Sequence, residues 1–136
     1  MANIVRIDAE TRQEIRSNAE FVETVITKAL GKQTGYSIEG VTWLDAFIQR
    51  QHEISNTDIY DQIVGAYGSY LGECIVQNVG GEWVKIDDAE AIAFDMNNAA
   101  FPFSKLRKHL TDGSEAGESV LGFYKAVKEV FKKFTK

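Results

Sequence analysis

The stretch from about residue 57 to 78 constrains the fold more than any other part of the chain. Ile59, Ile63, Val64, Tyr67, Tyr70, Leu71, Cys74 and Ile75 recur there at helical spacing but wrap too widely for a helix resting on a surface. Such a helix has neighbours on several sides, so the spacing predicts a central helix with other elements built around it. Asn56 stands where a side-chain N-cap would begin it, and Gly80-Gly81 ends it.

That helix also contains Gly65, Gly68 and Gly72, each costing about 1 kcal/mol relative to Ala in a helix interior. Their i, i+3, i+7 spacing gathers them on one face. A face without side chains admits either a neighbouring backbone or ring, or a ligand. Tight packing is the more frequent use of interior glycines. Asp61 and Glu73 in the same stretch argue against a membrane GxxxG reading.

The elements around it follow from pattern changes. Asp8 caps a first helix in which Ile15, Ala19, Val22, Ile26 and Leu30 face inward, and Gly31 stops it. Ser17-Asn18-Ala19-Glu20 has the form of a capping box, so 9–30 reads as one helix or as two meeting near Ser17. A second helix near 41–52 carries Trp43, Leu44, Phe47 and Ile48. After Gly81 the period changes: 82–86 and 91–95 read as strands separated by Asp87-Asp88-Ala89-Glu90, and Asn97-Asn98 turns the chain before 99–101. Pro102 suits the first turn of a short helix over about 102–110, and a last helix over about 115–134 carries Val120, Tyr124, Val127, Phe131 and Phe134. Strands grouped between helices, rather than alternating with them, predict an α+β class. The expectation is four or five helices packed on a two- or three-stranded antiparallel meander. With no repeat and no linker of biased composition, residues 1–136 read as a single domain.

The ordered set Tyr67-Gly68-Ser69-Tyr70-Leu71-Gly72-Glu73, Gly80-Gly81-Glu82-Trp83, Phe101-Pro102-Phe103-Ser104-Lys105 and Ser119 to Tyr124 resembles a group of small uncharacterised bacterial domains. Their pattern is Leu-Gly-Glu, then Gly-Gly-x-Trp, then Pro-Phe-x-Lys, and the likeness covers about residues 59–127. It implies a shared fold and a bacterial source. It transfers no activity and no catalytic residue.

Charge is uneven: residues 1–100 carry seven Lys/Arg against sixteen Asp/Glu, a net −9, whereas 101–136 carry eight against four, a net +4. An acidic body repels phosphate, so nucleic acid is an unfavoured partner despite the cluster Lys105, Arg107, Lys108 and His109. No run approaches 18 apolar residues and the N-terminus lacks a signal-peptide pattern, so the expected setting is the cytoplasm, with no membrane partner. Lone Cys74 reads as a small core residue.

Catalytic signatures are missing from the sequence. His52 and His109 lie in different predicted helices without zinc-ligand spacing, and no phosphate-binding glycine loop, nucleophile elbow or HExxH occurs, so no metal, cofactor or catalytic residue is assigned. Glu73 is the carboxylate of interest because it follows Gly72 in the most apolar helix. It serves as a polar group in a ligand pocket, or pairs with a Lys or Arg, for instance Lys105, or simply points outward. The candidate ligand-binding set is therefore Gly65, Gly68, Gly72, Glu73 and Lys105.

Two functional classes remain. The favoured one is a protein-interaction module of the bacterial cytoplasm, such as an immunity or accessory factor, whose Glu10, Glu14, Glu20 and Glu23 complement a basic partner. The alternative is a small-ligand binder or enzyme using the glycine face of helix 57–78 with Glu73. Homo-oligomerisation is a further possibility, given eight Phe, five Tyr and two Trp.

Overall fold

The computed structural model describes residues 3–131. Strand β1 (Ile4–Arg6) precedes helix α1 (Ala9–Leu30), and Asp8 caps that helix by accepting a bond from Thr11 N at 2.7 Å. Gly31, at φ 70°, closes it in the left-handed conformation. Ser17 starts no second helix: its Oγ accepts from Gln13 Nε2 at 3.2 Å within one unbroken helix. Helix α2 (Ile38–Ile54) is longer than its apolar stripe implied, because Ser37 caps it a turn earlier.

Asn56 makes no side-chain cap. A short 3-10 turn (Thr57–Ile59) leads instead into α3 (Tyr60–Asn78). The chain then forms β2 (Glu82–Ile86), β3 (Ala89–Ala93) and β4 (Ala99–Ala100). Asp87 and Asp88 both adopt positive φ, 47° and 71°, the backbone of a two-residue hairpin turn whose twist matches its strands. Ala89 and Glu90 therefore join β3 rather than the turn.

The sheet is antiparallel throughout, in the order β1-β2-β3-β4. The meander expected from the sequence is present, and β1 adds a strand to it. Ile4 lies opposite Ile86 and Arg6 opposite Val84, so the start of the chain is sewn to its middle. The α+β architecture holds, with five helices on a small antiparallel sheet.

Pro102 opens α4 (Pro102–Asp112). The last helix does not begin at 115. Gly113 and Gly117, at φ 83° and 82°, bracket a 3-10 turn (Ser114–Ala116), and Ser119 caps the shorter α5 (Val120–Val130). Phe134, assigned to that helix from the sequence, lies outside the described residues.

Helix α3 is central: α1 and α4 both pack on it, while α2 and α5 pack on α4 and on each other. Ile15, Val22 and Ile26 of α1 meet Tyr70, Leu71, Cys74 and Ile75 of α3 in one buried cluster with Leu44, Ile48, Trp83, Ile92, Leu106, Leu110 and Tyr124. Among the described residues, no helix is long and apolar enough to cross a membrane.

Candidate functional site

The glycine face of α3 is filled by the protein itself. A Cβ added at Gly68 would lie 2.5 Å from Phe103 Cδ1, and one added at Gly72 would collide with the Trp83 ring and approach Pro102 Cγ to 3.3 Å. Trp83 and Phe103 contact each other with centroids 5.7 Å apart. The glycines thus let two aromatic rings lie against the helix backbone, one from β2 and one from α4. The expectation of a ligand groove across Gly68 and Gly72 is corrected accordingly. Only Gly65 faces open space, and its carbonyl accepts bonds from Ser69 Oγ at 2.7 Å and Asn18 Nδ2 at 3.5 Å.

Glu73 lies directly behind this aromatic pair and is 6% exposed. Its Oε2 accepts from Trp83 Nε1 at 2.8 Å, and the Arg12 guanidinium approaches both oxygens, Nη2 to Oε1 at 3.5 Å and Nη1 to Oε2 at 3.4 Å. A buried carboxylate needs a counter-charge and donors for its lone pairs. Arg12 on α1 and the indole on β2 supply both.

Lys105 does not meet Glu73, which corrects that expectation too. Its Nζ lies 2.6 Å from Glu118 Oε1, in the loop before α5, and donates also to Gly117 O at 3.5 Å. The Lys105 hydrogen bond holds the Glu118 carboxyl below its ordinary range. The set proposed from sequence therefore separates into a packing surface (Gly68, Gly72), an ion pair toward α1 (Glu73) and an ion pair toward α5 (Lys105).

The C-terminal basic cluster is also dispersed. Arg107 is paired with Asp61 at 2.5 Å, Lys105 with Glu118, and His109 is buried, so three of its four members are turned to protein partners. Among the described residues, no three His, Cys, Asp or Glu side chains converge as metal ligands.

Two surface features emerge: a cleft that sequence reasoning did not single out, and the outer face of α1, where an aromatic ring joins the acidic residues read from the sequence. An open cleft of about 450 Å³ runs beside the start of α1, lined by Arg6, Asp8, Arg12, Glu82 and Trp83 among others. Its charges are largely committed. Arg12 faces Glu73, and Asp8 caps α1, a bond that lowers its carboxyl pKa. The second is the outer face of α1. With Ile15, Ala19, Val22 and Ile26 turned inward, Glu10, Glu14, Ser17 and Phe21 recur outward at i, i+4, i+7 and i+11, with Glu20 beside them. Phe21 is 60% exposed, an apolar ring with Glu10 and Glu14 on the N-terminal side of its face and Lys28 two turns beyond it.

No protein-family model, curated protein or solved structure matches this chain. Phe21 was legible as an apolar residue off the inward stripe of α1, a departure that periodicity alone exposes.

Proposed function

We propose that the chain is a protein-interaction module, of the bacterial cytoplasm as its sequence pattern implies, that presents the outer face of α1 to a basic partner. The observation that carries this reading is Phe21, held outward by a 22-residue helix whose N-terminal half carries Glu10, Glu14 and Glu20 on its outer side. Burying a Phe side chain is worth about 1.5–3 kcal/mol, which this ring has not realised within its own fold. Aromatic anchors of this kind dominate binding energy, while surrounding charges steer encounter and reject partners of like charge. An immunity or accessory factor works by such recognition, without chemistry of its own. The alternative, a small-ligand binder or enzyme built around Glu73, is less favoured because protein side chains already lie against Gly68 and Gly72.

Phe21→Ser and Glu14→Lys provide the test. Both positions are solvent-facing, so each variant should stay within about 0.5 kcal/mol of the parent in stability. A partner captured by the parent from a lysate of its source organism should be lost by both. Capture that is indifferent to both substitutions overturns the reading. Capture of further copies of the same chain would make the surface a homo-oligomer interface instead.

A further inference from the structure

His109, on α4, is completely buried, and both of its ring nitrogens are engaged. Val120 N–H donates to Nδ1 at 3.2 Å, so Nδ1 must be the unprotonated nitrogen and Nε2 carries the hydrogen that Gln49 Oε1 accepts at 3.0 Å. The neutral imidazole is therefore built into the contact. Its position gives this significance, because Val120 is the first residue of α5.

The opening turn of α5 has orphan N–H groups that need acceptors. Val120 N uses His109, Leu121 N uses Asp45 Oδ1 at 3.0 Å, and Gly122 N uses Ser119 Oγ at 3.1 Å. Ser119 Oγ donates in turn to Asp45 Oδ1 at 2.6 Å. Two of the three acceptors come from other helices, α2 and α4, so these bonds both cap α5 and dock it. The same Asp45 Oδ1 lies 3.8 Å from His109 Nδ1, ready to receive a proton-bearing ring as an ion-pair partner.

We propose that His109 is an acid-sensitive latch: protonation at Nδ1 replaces the acceptor of Val120 N–H with a donor, turns the ring toward Asp45 Oδ1, where it competes with Leu121 N–H and Ser119 Oγ for that acceptor, and so loosens the start of α5 from α4 and α2. This goes beyond the proposed binding role of α1 and does not depend on it. The titratable groups facing the ring are Asp45 and His52 from α2, Lys105 from its own helix and Glu118 from the loop before α5, with the Tyr60 hydroxyl bonded to the neighbouring Leu110 carbonyl. Burial is the largest influence, and it outweighs the attraction of Asp45 and Glu118, so the ring stays neutral below the ordinary histidine range. Opening exposes the inward side of α5, Val120, Tyr124 and Val127, at the place where they met α2 and α3.

Hydrogen exchange between pH 8 and 4.5, corrected for the intrinsic pH dependence of exchange, reads the latch directly on the full chain. Ring-nitrogen NMR reports His109 itself. The opening constant of α5 should rise about tenfold per pH unit between the free histidine value and the lowered one, while α1 and α3 keep their protection. Asp45→Asn keeps an oxygen acceptor for α5 but removes the anion that favours the imidazolium, so the step should move to lower pH. His109→Asn keeps an acceptor near the Nδ1 position without titrating, and should abolish the step. Titration of His109 with α5 protection unchanged overturns the proposal. So does simultaneous loss of α3 and α5 protection, or a step that Asp45→Asn leaves in place, even if His109→Asn does not fold.

Discussion

The Trp83 indole donates its N–H to Glu73 Oε2 at 2.8 Å, in a space where each residue is 6% exposed. This bond joins β2 to α3, and the Arg12 guanidinium on the far side of the carboxylate extends it to α1. Three elements distant in the chain thus share one buried anion.

Glu73→Gln should keep the shape and an acceptor for the indole but lose the charge pairing with Arg12, costing about 1–2 kcal/mol. Glu73→Ala should cost about 3 kcal/mol, because it orphans the Trp83 N–H and strips Arg12 of its counter-ion. Equilibrium urea unfolding separates the two. Parent-like stability in Glu73→Ala would refute the structural role of the carboxylate.

The three glycines of α3 should respond differently to one methyl group. Gly65→Ala meets open space and should stabilise by about 1 kcal/mol through helix propensity. Gly68→Ala and Gly72→Ala drive a Cβ into Phe103 and Trp83 and should destabilise by about 1–3 kcal/mol. A thermal melt of each variant checks the sign, and three equal shifts would contradict the packing described.

How much of this was legible in the sequence depended on how local the cause was. Asp8 and Gly31 bounded α1 correctly, because an N-cap bond and a left-handed stop are settled within a turn of the helix. Ser17-Asn18-Ala19-Glu20 carried the same type of cap signal, but the apolar stripe continues through it and packing on α3 keeps the helix whole. The three residues of β1 carry no pattern long enough to read; they become a strand only because Glu82–Ile86 offers an edge. Gly68 and Gly72 announced a close approach, and Glu73 a buried charge. Which rings and which cation would arrive was a tertiary matter, and Lys105, nearer in sequence than Arg12, went to Glu118 instead.

Cys74 should be chemically silent in the native protein. Burial pushes its thiol pKa up to about 12, so essentially no thiolate forms near neutrality. Its modification by a thiol reagent at pH 8 should follow unfolding, rising with urea in step with the loss of structure. Rapid labelling of the folded chain would show that the core around α3 opens.

Acid should fray α1 from its start. The Thr11 bond lowers the Asp8 carboxyl pKa, so its capping contribution is complete above the ordinary carboxylate range and disappears as pH falls through the lowered value. Amide exchange in the first turn of α1 should therefore accelerate, beyond the intrinsic rate, only at strongly acidic pH. Asp8→Asn, which caps without titrating, should remove that dependence. An unchanged profile would mean that Asp8 is not the cap.

The pairing of β1 with β2 imposes an order on events at the ribosome. Asn3 N bonds to Asp87 Oδ1 across 84 positions of chain, and Ile4 faces Ile86. During synthesis α1 is complete long before its preceding strand has anything to pair with, and β1 must wait unpaired until α2, α3 and the whole of β2 have left the exit tunnel. Strand β1 is thus made before the three helices that separate it from β2 and paired only after them, and for that interval the nascent chain carries an unmatched strand edge.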